Sequence, residues 1–132
     1  MITIFQKLLK AAKDGLKFSQ AKYSNFKVAA ALYTKNGEIY TGCNVESSSY
    51  GLTICAERVA LVKALSEGQE NFDSILILSE KMDYCPPCGA CRQLLNDYAP
   101  HLNIILTDGK NYKTYKINEL LPMAFDDSQL PE

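Results

Sequence analysis

Apolar residues recur at three- and four-residue steps from the start of the chain, at Ile2, Phe5, Leu8, Leu9, Ala12 and Leu16. That spacing predicts an amphipathic helix over residues 2 to 18, with Lys7, Lys10, Lys13 and Lys17 on its solvated face. Tyr23-Ser24-Asn25 breaks it. Val28-Ala29-Ala30-Ala31-Leu32-Tyr33 then reads as a buried strand, and Asn36-Gly37 as a tight hairpin turn into a second strand, Glu38 to Cys43. Alanine is a poor strand former. Its small side chain lets a further layer approach closely.

Residues 44 to 53 read as a polar loop. A helix is expected from Cys55 to Ser66, stopped by Gly68. Ile75-Leu76-Ile77-Leu78 is an unbroken apolar run, the mark of a central strand buried on two sides. After a Cys85-Pro86-Pro87 turn, a helix from Cys88 to Tyr98 carries Leu94 and Leu95 inward. Asn103 to Leu106 and Tyr112 to Lys116 read as two strands joined at Asp108-Gly109, and a short helix at Asn118 to Leu121 precedes the tail. The order αββαβαββα predicts an α/β fold, a three-layer α/β/α sandwich around a mixed five-stranded sheet. With 132 residues, one domain over 1–132 is expected.

Charge narrows the partners. The formal net charge is −1 and no cluster of Lys and Arg marks a groove for a phosphate backbone, so a small, weakly polar substrate fits better than nucleic acid. Lys7 and Lys10 interrupt the first apolar run, so no secretory signal is expected, and no stretch approaches the length needed to span a bilayer. Five cysteines is an odd number, and three of them lie at ligand-like spacing. That favours metal-held thiolates in a reducing compartment, with cytoplasm the expected location.

Those three are Cys55, Cys88 and Cys91. Each cluster falls where a loop opens a helix, and unpaired backbone N–H groups and the helix dipole favour thiolates there. Cys88 and Cys91, three apart on one turn, can face one ion together. Pro87 suits a helix entry because its missing N–H costs nothing there. Three sulfurs suit Zn²⁺ and leave a fourth position for water. Glu57, two residues after Cys55, stands where a carboxylate can move protons without being a ligand. Three thiolates around Zn²⁺ carry a net charge of −1, and Arg58 and Gln93 are the candidates to offset it by hydrogen bonds to sulfur. Two alternatives stay open: buried thiols that merely pack, or a closed four-cysteine site that adds Cys85, against which the stiff Pro86-Pro87 pair weighs. Cys43 reads as a packing residue at a strand end, and His101 as a surface residue.

Cys55-Ala56-Glu57-Arg58 and Pro87-Cys88-Gly89-Ala90-Cys91-Arg92-Gln93 together resemble the signature of zinc-dependent nucleobase deaminases in its three-cysteine form. Tyr23 to Val28, Gly42-Cys43-Asn44-Val45-Glu46, Ser49 to Ile54, Glu119-Leu120-Leu121-Pro122 and Ala124-Phe125 extend the likeness over nearly the whole chain. On these segments the sequence is similar to the small, homotetrameric cytidine deaminases.

The resemblance implies a cytidine-deaminase-like fold and one zinc per subunit on Cys55, Cys88 and Cys91, with Glu57 as proton shuttle. It implies hydrolysis of cytidine and 2′-deoxycytidine to the uridines and ammonia by a zinc-activated hydroxide, a step of pyrimidine salvage. Asn44 and Glu46 are implied to bind a ribose hydroxyl, Phe26 to pack on the pyrimidine, and Ala56 to offer its backbone to the base edge. Phe125 is implied to reach a neighbour's pocket in the tetramer. The sequence departs from the family's habit at Ala29 (usually Gly), Ser47 (usually Asn) and Asp126-Asp127 (usually Gly-Pro), the last bearing on the path of the tail. The rival readings are a deaminase of a modified nucleoside or nucleoside antibiotic, and a non-catalytic zinc module, which has no need of Glu57.

Overall fold

The structure, a computed structural model, describes residues 1–131. It opens with helix α1, Ile4–Leu16, shorter than the pattern predicts because Thr3 caps it. The Thr3 side chain accepts from the Gln6 N–H while the Gln6 side chain accepts from the Thr3 N–H, which satisfies two end donors at once. Strands β1 (Val28–Thr34) and β2 (Ile39–Cys43) follow, then helix α2 (Ala56–Ser66) and strand β3 (Phe72–Ser79). Helix α3 (Gly89–Tyr98), strands β4 (Asn103–Thr107) and β5 (Tyr112–Lys116), and a single turn α4 (Ile117–Leu120) complete the order. Two short 3₁₀ turns, Tyr50–Leu52 and Asp127–Gln129, were not expected from the sequence.

The five strands form one sheet in the order β2-β1-β3-β4-β5. Only β3 and β4 run parallel, and α3 makes the crossover between them; the other neighbours are antiparallel. The sheet is therefore mixed, as expected.

Alternation along the strands builds the layers. Ala29 and Ala31 of β1 and Leu76 and Leu78 of β3 pack with Leu8 and Ala12 of α1 on one face. Ala30, Leu32, Ile75 and Ile77 point the other way, against Ala60, Leu61 and Ala64 of α2 and Leu95 of α3. This is the three-layer sandwich. The alanines of β1 let both helical layers come close, and Gly42 of β2 takes this furthest, lying against α2 itself. Among the described residues, no helix is long and apolar enough to cross a membrane.

Candidate metal centre and substrate cavity

Cys55 and Cys88 are N-cap residues, of α2 and α3, rather than the first residues of those helices. Neither helix start has a side-chain cap hydrogen bond, so the free N–H groups of each first turn surround the thiols with positive potential. Cys91 follows one turn into α3 and is fully buried. The sulfurs of Cys55 and Cys88 lie 3.7 Å apart, those of Cys88 and Cys91 3.3 Å, and all three fall within 4.8 Å of one another. Tetrahedral Zn–S bonds of about 2.3 Å require sulfurs about 3.8 Å apart. The donor set and its spacing fit zinc.

Cys85 lies outside that cluster. It is buried, with its thiol directed to the Pro86 carbonyl at 3.9 Å. The site is thus a three-sulfur one, and the closed four-cysteine arrangement does not form.

The electrostatics are uneven across the thiols. Hydrogen bonds from Cys91, and with them those of Arg58 and Cys88, hold the Cys55 thiol down at about 5 against the effect of burial. Cys91 moves the opposite way, raised by its hydrogen bond to Cys55 and by burial. Arg58 Nη2 donates to the Thr53 carbonyl at 3.1 Å and reaches Cys55 Sγ at 3.9 Å. Its Nε is buried with no partner. The structure thus places the Arg58 guanidinium beside the Cys55 sulfur. Gln93 does not share this position. Its Nε2 donates to Asp97 at 3.0 Å and to the Phe125 carbonyl at 2.8 Å, so it holds the tail and not a sulfur.

Glu57 stands in the first turn of α2 and is only 4% exposed. Burial pushes its carboxyl up to about 7; its own backbone N–H pulls the other way, and the Cys55 charge adds to the rise. A carboxyl poised there can both take and give a proton near neutral pH.

Glu57, Cys55 and Cys88 open on a cavity of about 360 Å³. Cys55, Ala56, Glu57 and Cys88 line one side, and Phe26, Val28, Asn44 and Glu46 the other. Two hydrogen bonds tie these walls together: Val45 and Ile54 exchange N–H···O contacts of 2.9 Å each, which fixes the Asn44–Glu46 segment beside the residue that precedes Cys55. Phe125 is not at this cavity. It is 57% exposed and lies with Gln93 on another face, followed by a turn that the Asp126 side chain caps through Ser128 N at 2.9 Å.

Three positioning contacts were not evident from the sequence. Ser24 gives Glu46 its backbone N–H at 3.0 Å and its hydroxyl as well. Arg92 clamps the loop before α3, with Nε on the Pro87 carbonyl at 2.7 Å and Nη1 on the Leu120 carbonyl at 2.8 Å. Ser19 donates its hydroxyl to Asn44 Oδ1. Local spacing carries no signal for the Ser24–Glu46, Arg92–Leu120 and Ser19–Asn44 contacts, whose partners lie 22, 28 and 25 residues apart; the Arg92–Pro87 contact spans five residues.

Comparison with known proteins agrees with this geometry. The sequence pattern of the "cytidine and deoxycytidylate deaminase zinc-binding region" matches residues 3–106. A probable cytidine deaminase of Dictyostelium discoideum is 40% identical over 126 residues, 95% of this chain and 86% of the relative. A cytidine deaminase of Halalkalibacterium halodurans is 40% identical over 128 residues, covering 91% and 92%. The crystal structure of cytidine deaminase from Burkholderia pseudomallei superposes with a TM-score of 0.88 at 42% identity, over 93% of this chain and all of that one.

Proposed function

This chain belongs to the family of cytidine and deoxycytidylate deaminases, and we propose that its cavity binds cytidine and hydrolyses the 4-amino group to give uridine and ammonia. The observation that carries this is the buried Glu57 carboxyl, one turn from the sulfur cluster and facing the same cavity as Asn44 and Glu46.

Zinc on Cys55, Cys88 and Cys91 supplies, when bound, the Lewis acidity that brings the pKa of a water from 15.7 to about 7. Glu57 takes the proton of the attacking water and delivers it to ring N3, which makes C4 electrophilic. It then takes the second proton from the newly formed C4 hydroxyl and passes it to the amino group, so that the C4–N bond breaks with ammonia as leaving group and the C4 carbonyl of uridine forms. Arg58 offsets the charge of the thiolates, and Phe26 packs on the pyrimidine while the Ala56 backbone meets the base edge. Asn44 and Glu46 take the 3′ hydroxyl of the sugar. Because they ignore the 2′ position, 2′-deoxycytidine is a substrate too, and free cytosine a poor one, since a site built for a hydroxyl is left unpaired without it.

In this reading residues 1–132 act as one deaminase domain in cytoplasmic pyrimidine salvage, in keeping with five free thiols. The exposed apolar side chains Tyr50, Leu52, Val62 and Phe125 support a homotetramer in which Phe125 closes a neighbour's cavity. Sedimentation tests the assembly.

The decisive experiment follows the loss of cytidine absorbance with the zinc-loaded protein and with Glu57→Gln. The variant is expected to keep its zinc and lose at least about 10²-fold in kcat. Undiminished turnover in Glu57→Gln removes the carboxyl from the mechanism, and purified protein without zinc overturns the reading.

A further inference from the structure

Asn44 is tied to the protein through three of its four hydrogen-bonding positions, and one tie comes from behind the cavity wall. Its Oδ1 accepts from the Val28 N–H at 3.0 Å and from the Ser19 hydroxyl. Two donors fill both lone pairs of an amide carbonyl. Its Nδ2 donates to the Phe26 carbonyl at 2.8 Å, which leaves one N–H for the cavity. Asn44 therefore meets a ligand as a donor only.

Glu46 has the opposite polarity. Its Oε1 accepts from the N–H groups of Tyr23 and Ser24 at 3.0 Å each, and its Oε2 from the Ser24 hydroxyl. A carboxylate has about four lone-pair sites, so one on Oε2 stays open. One donor beside one acceptor is the complement of a single hydroxyl, which must accept from Asn44 and donate to Glu46.

Ser19 lies between α1 and β1, only 8% exposed, and does not line the cavity. Its segment is anchored before its side chain acts. Gln20 N–H donates to the Asn44 carbonyl at 2.9 Å, and Glu46 N–H to the Gln20 carbonyl at 3.0 Å. The hydroxyl thus arrives on an ordered backbone, and the bond orders little that is not already fixed. Val28 alone forbids a full flip of the amide, because a flip sets two donors face to face. Ser19 stops the remaining swing of the amide plane and leaves Oδ1 no lone pair with which to accept from a ligand.

Resting on the reading of Asn44 and Glu46 as the hydroxyl-binding pair, we propose that Ser19 is a positioning residue that makes this subsite selective for the substrate's 3′ hydroxyl by fixing Asn44 as a donor. The test compares kcat/KM for cytidine with that for 3′-deoxycytidine, which lacks the hydroxyl, in the zinc-loaded protein. Ser19→Ala is expected to lower the cytidine to 3′-deoxycytidine ratio about two- to tenfold, mainly through KM for cytidine, the effect of one neutral hydrogen bond. Ser19→Thr, which keeps the hydroxyl, restores the ratio, and Ser19→Ala adds nothing once Asn44→Ala is present. If Ser19→Ala is too unstable to assay, Ser19→Cys keeps the volume with a much weaker donor and shows the same fall. A ratio that collapses in Asn44→Ala but is unchanged in Ser19→Ala overturns the proposal and leaves the hydroxyl pair standing. Equal losses on both substrates in Ser19→Ala, with a lowered Tm, show a merely structural role and overturn it as well. A ratio unchanged in Asn44→Ala sinks the hydroxyl pair itself, and Ser19 with it.

Discussion

Gly42 and Ala56 are in backbone contact: a Cβ built on Gly42 falls 2.5 Å from the Ala56 carbonyl oxygen and equally close to the Ala60 nitrogen. Both neighbours are helix backbone, which cannot rotate aside as a side-chain tip can. The glycine on β2 therefore sets how deeply the first turn of α2, with Cys55 and Glu57, sinks toward the sheet. Gly42→Ala is expected to destabilise by about 1–3 kcal/mol through overpacking and to lower Tm by about 2–10 °C. It is also expected to speed zinc loss, because the displaced turn carries Cys55 away from Cys88. Unchanged melting and zinc content mean that α2 is not held at this distance.

Arg58 stands three residues after Cys55, on the same side of α2, and is its nearest fixed positive charge. Its bond to the Thr53 carbonyl keeps the guanidinium in place. Arg58→Gln removes the charge and leaves only a shorter, neutral donor. Zinc affinity, measured by competition with a chelator, is expected to fall about 10–100-fold, the usual effect of losing a partner to a metal ligand. An affinity equal to the wild type shows that the thiolates need no counter-charge from this side chain.

The fold was legible wherever burial is periodic. Each of the five strands and the three longer helices lies where apolar spacing or a turn signal puts it; β5, exposed along most of its length, owes its place to the Asp108-Gly109 turn. What was misread has local physical causes. Strand β3 runs from Phe72 to Ser79, beyond the apolar run at its centre, since the ladder continues through polar Ser74 and Ser79 and, past an irregularity at Asp73, to Phe72. Arg58 and Gln93 looked equivalent as partners for sulfur, yet their spacing separates them. Arg58 is three residues after Cys55 and shares its face; Gln93 is two after Cys91, about 200° round the helix, and faces away. Ser19 gave no local signal, because its partner lies 25 residues on and only the fold joins them.

Cys85 separates the open site from the closed one. Its thiol lies on the cavity wall and outside the sulfur cluster. Cys85→Ser is expected to retain one zinc per chain and most turnover, at a stability cost of about 1–3 kcal/mol for a poorly satisfied buried hydroxyl. Cys91→Ser is expected to lose the metal and the activity together. Elemental analysis decides between them: loss of zinc in Cys85→Ser makes it a ligand and closes the site.

Gln93 tests the tail. Since its amide holds the Phe125 carbonyl at 2.8 Å, Gln93→Ala frees the segment without touching a sulfur. Zinc affinity is expected to stay within about twofold of wild type. If Phe125 closes a neighbour's cavity, KM for cytidine rises by about two- to tenfold, the equivalent of one hydrogen bond. A fall in zinc affinity with KM unchanged returns Gln93 to the metal.

If Glu46 binds the sugar hydroxyl as proposed, the subsite is sensitive to acid through a carboxyl that Ser24 holds ionised. Hydrogen bonds from the Ser24 side chain and backbone, followed by that of Tyr23, hold the Glu46 carboxyl below its ordinary value of 4.5. A folded pKa below the unfolded one stabilises the protein fully above the ordinary value, and this contribution disappears as pH falls through the folded pKa. Binding of uridine follows the same course, because a protonated Glu46 no longer offers the open lone pair. In Glu57→Gln, which removes the carboxyl that titrates at about 7 in the same cavity, the dissociation constant for uridine, measured by calorimetry, is therefore expected to stay flat with falling pH until below the ordinary carboxylate value. With Ser24→Ala added to it, the inflection moves upward, toward 4.5, since the strongest of the three donors is gone. An inflection at the same pH in both proteins shows that Ser24 does not hold Glu46 ionised, and that the acceptor half of the subsite is set by something else.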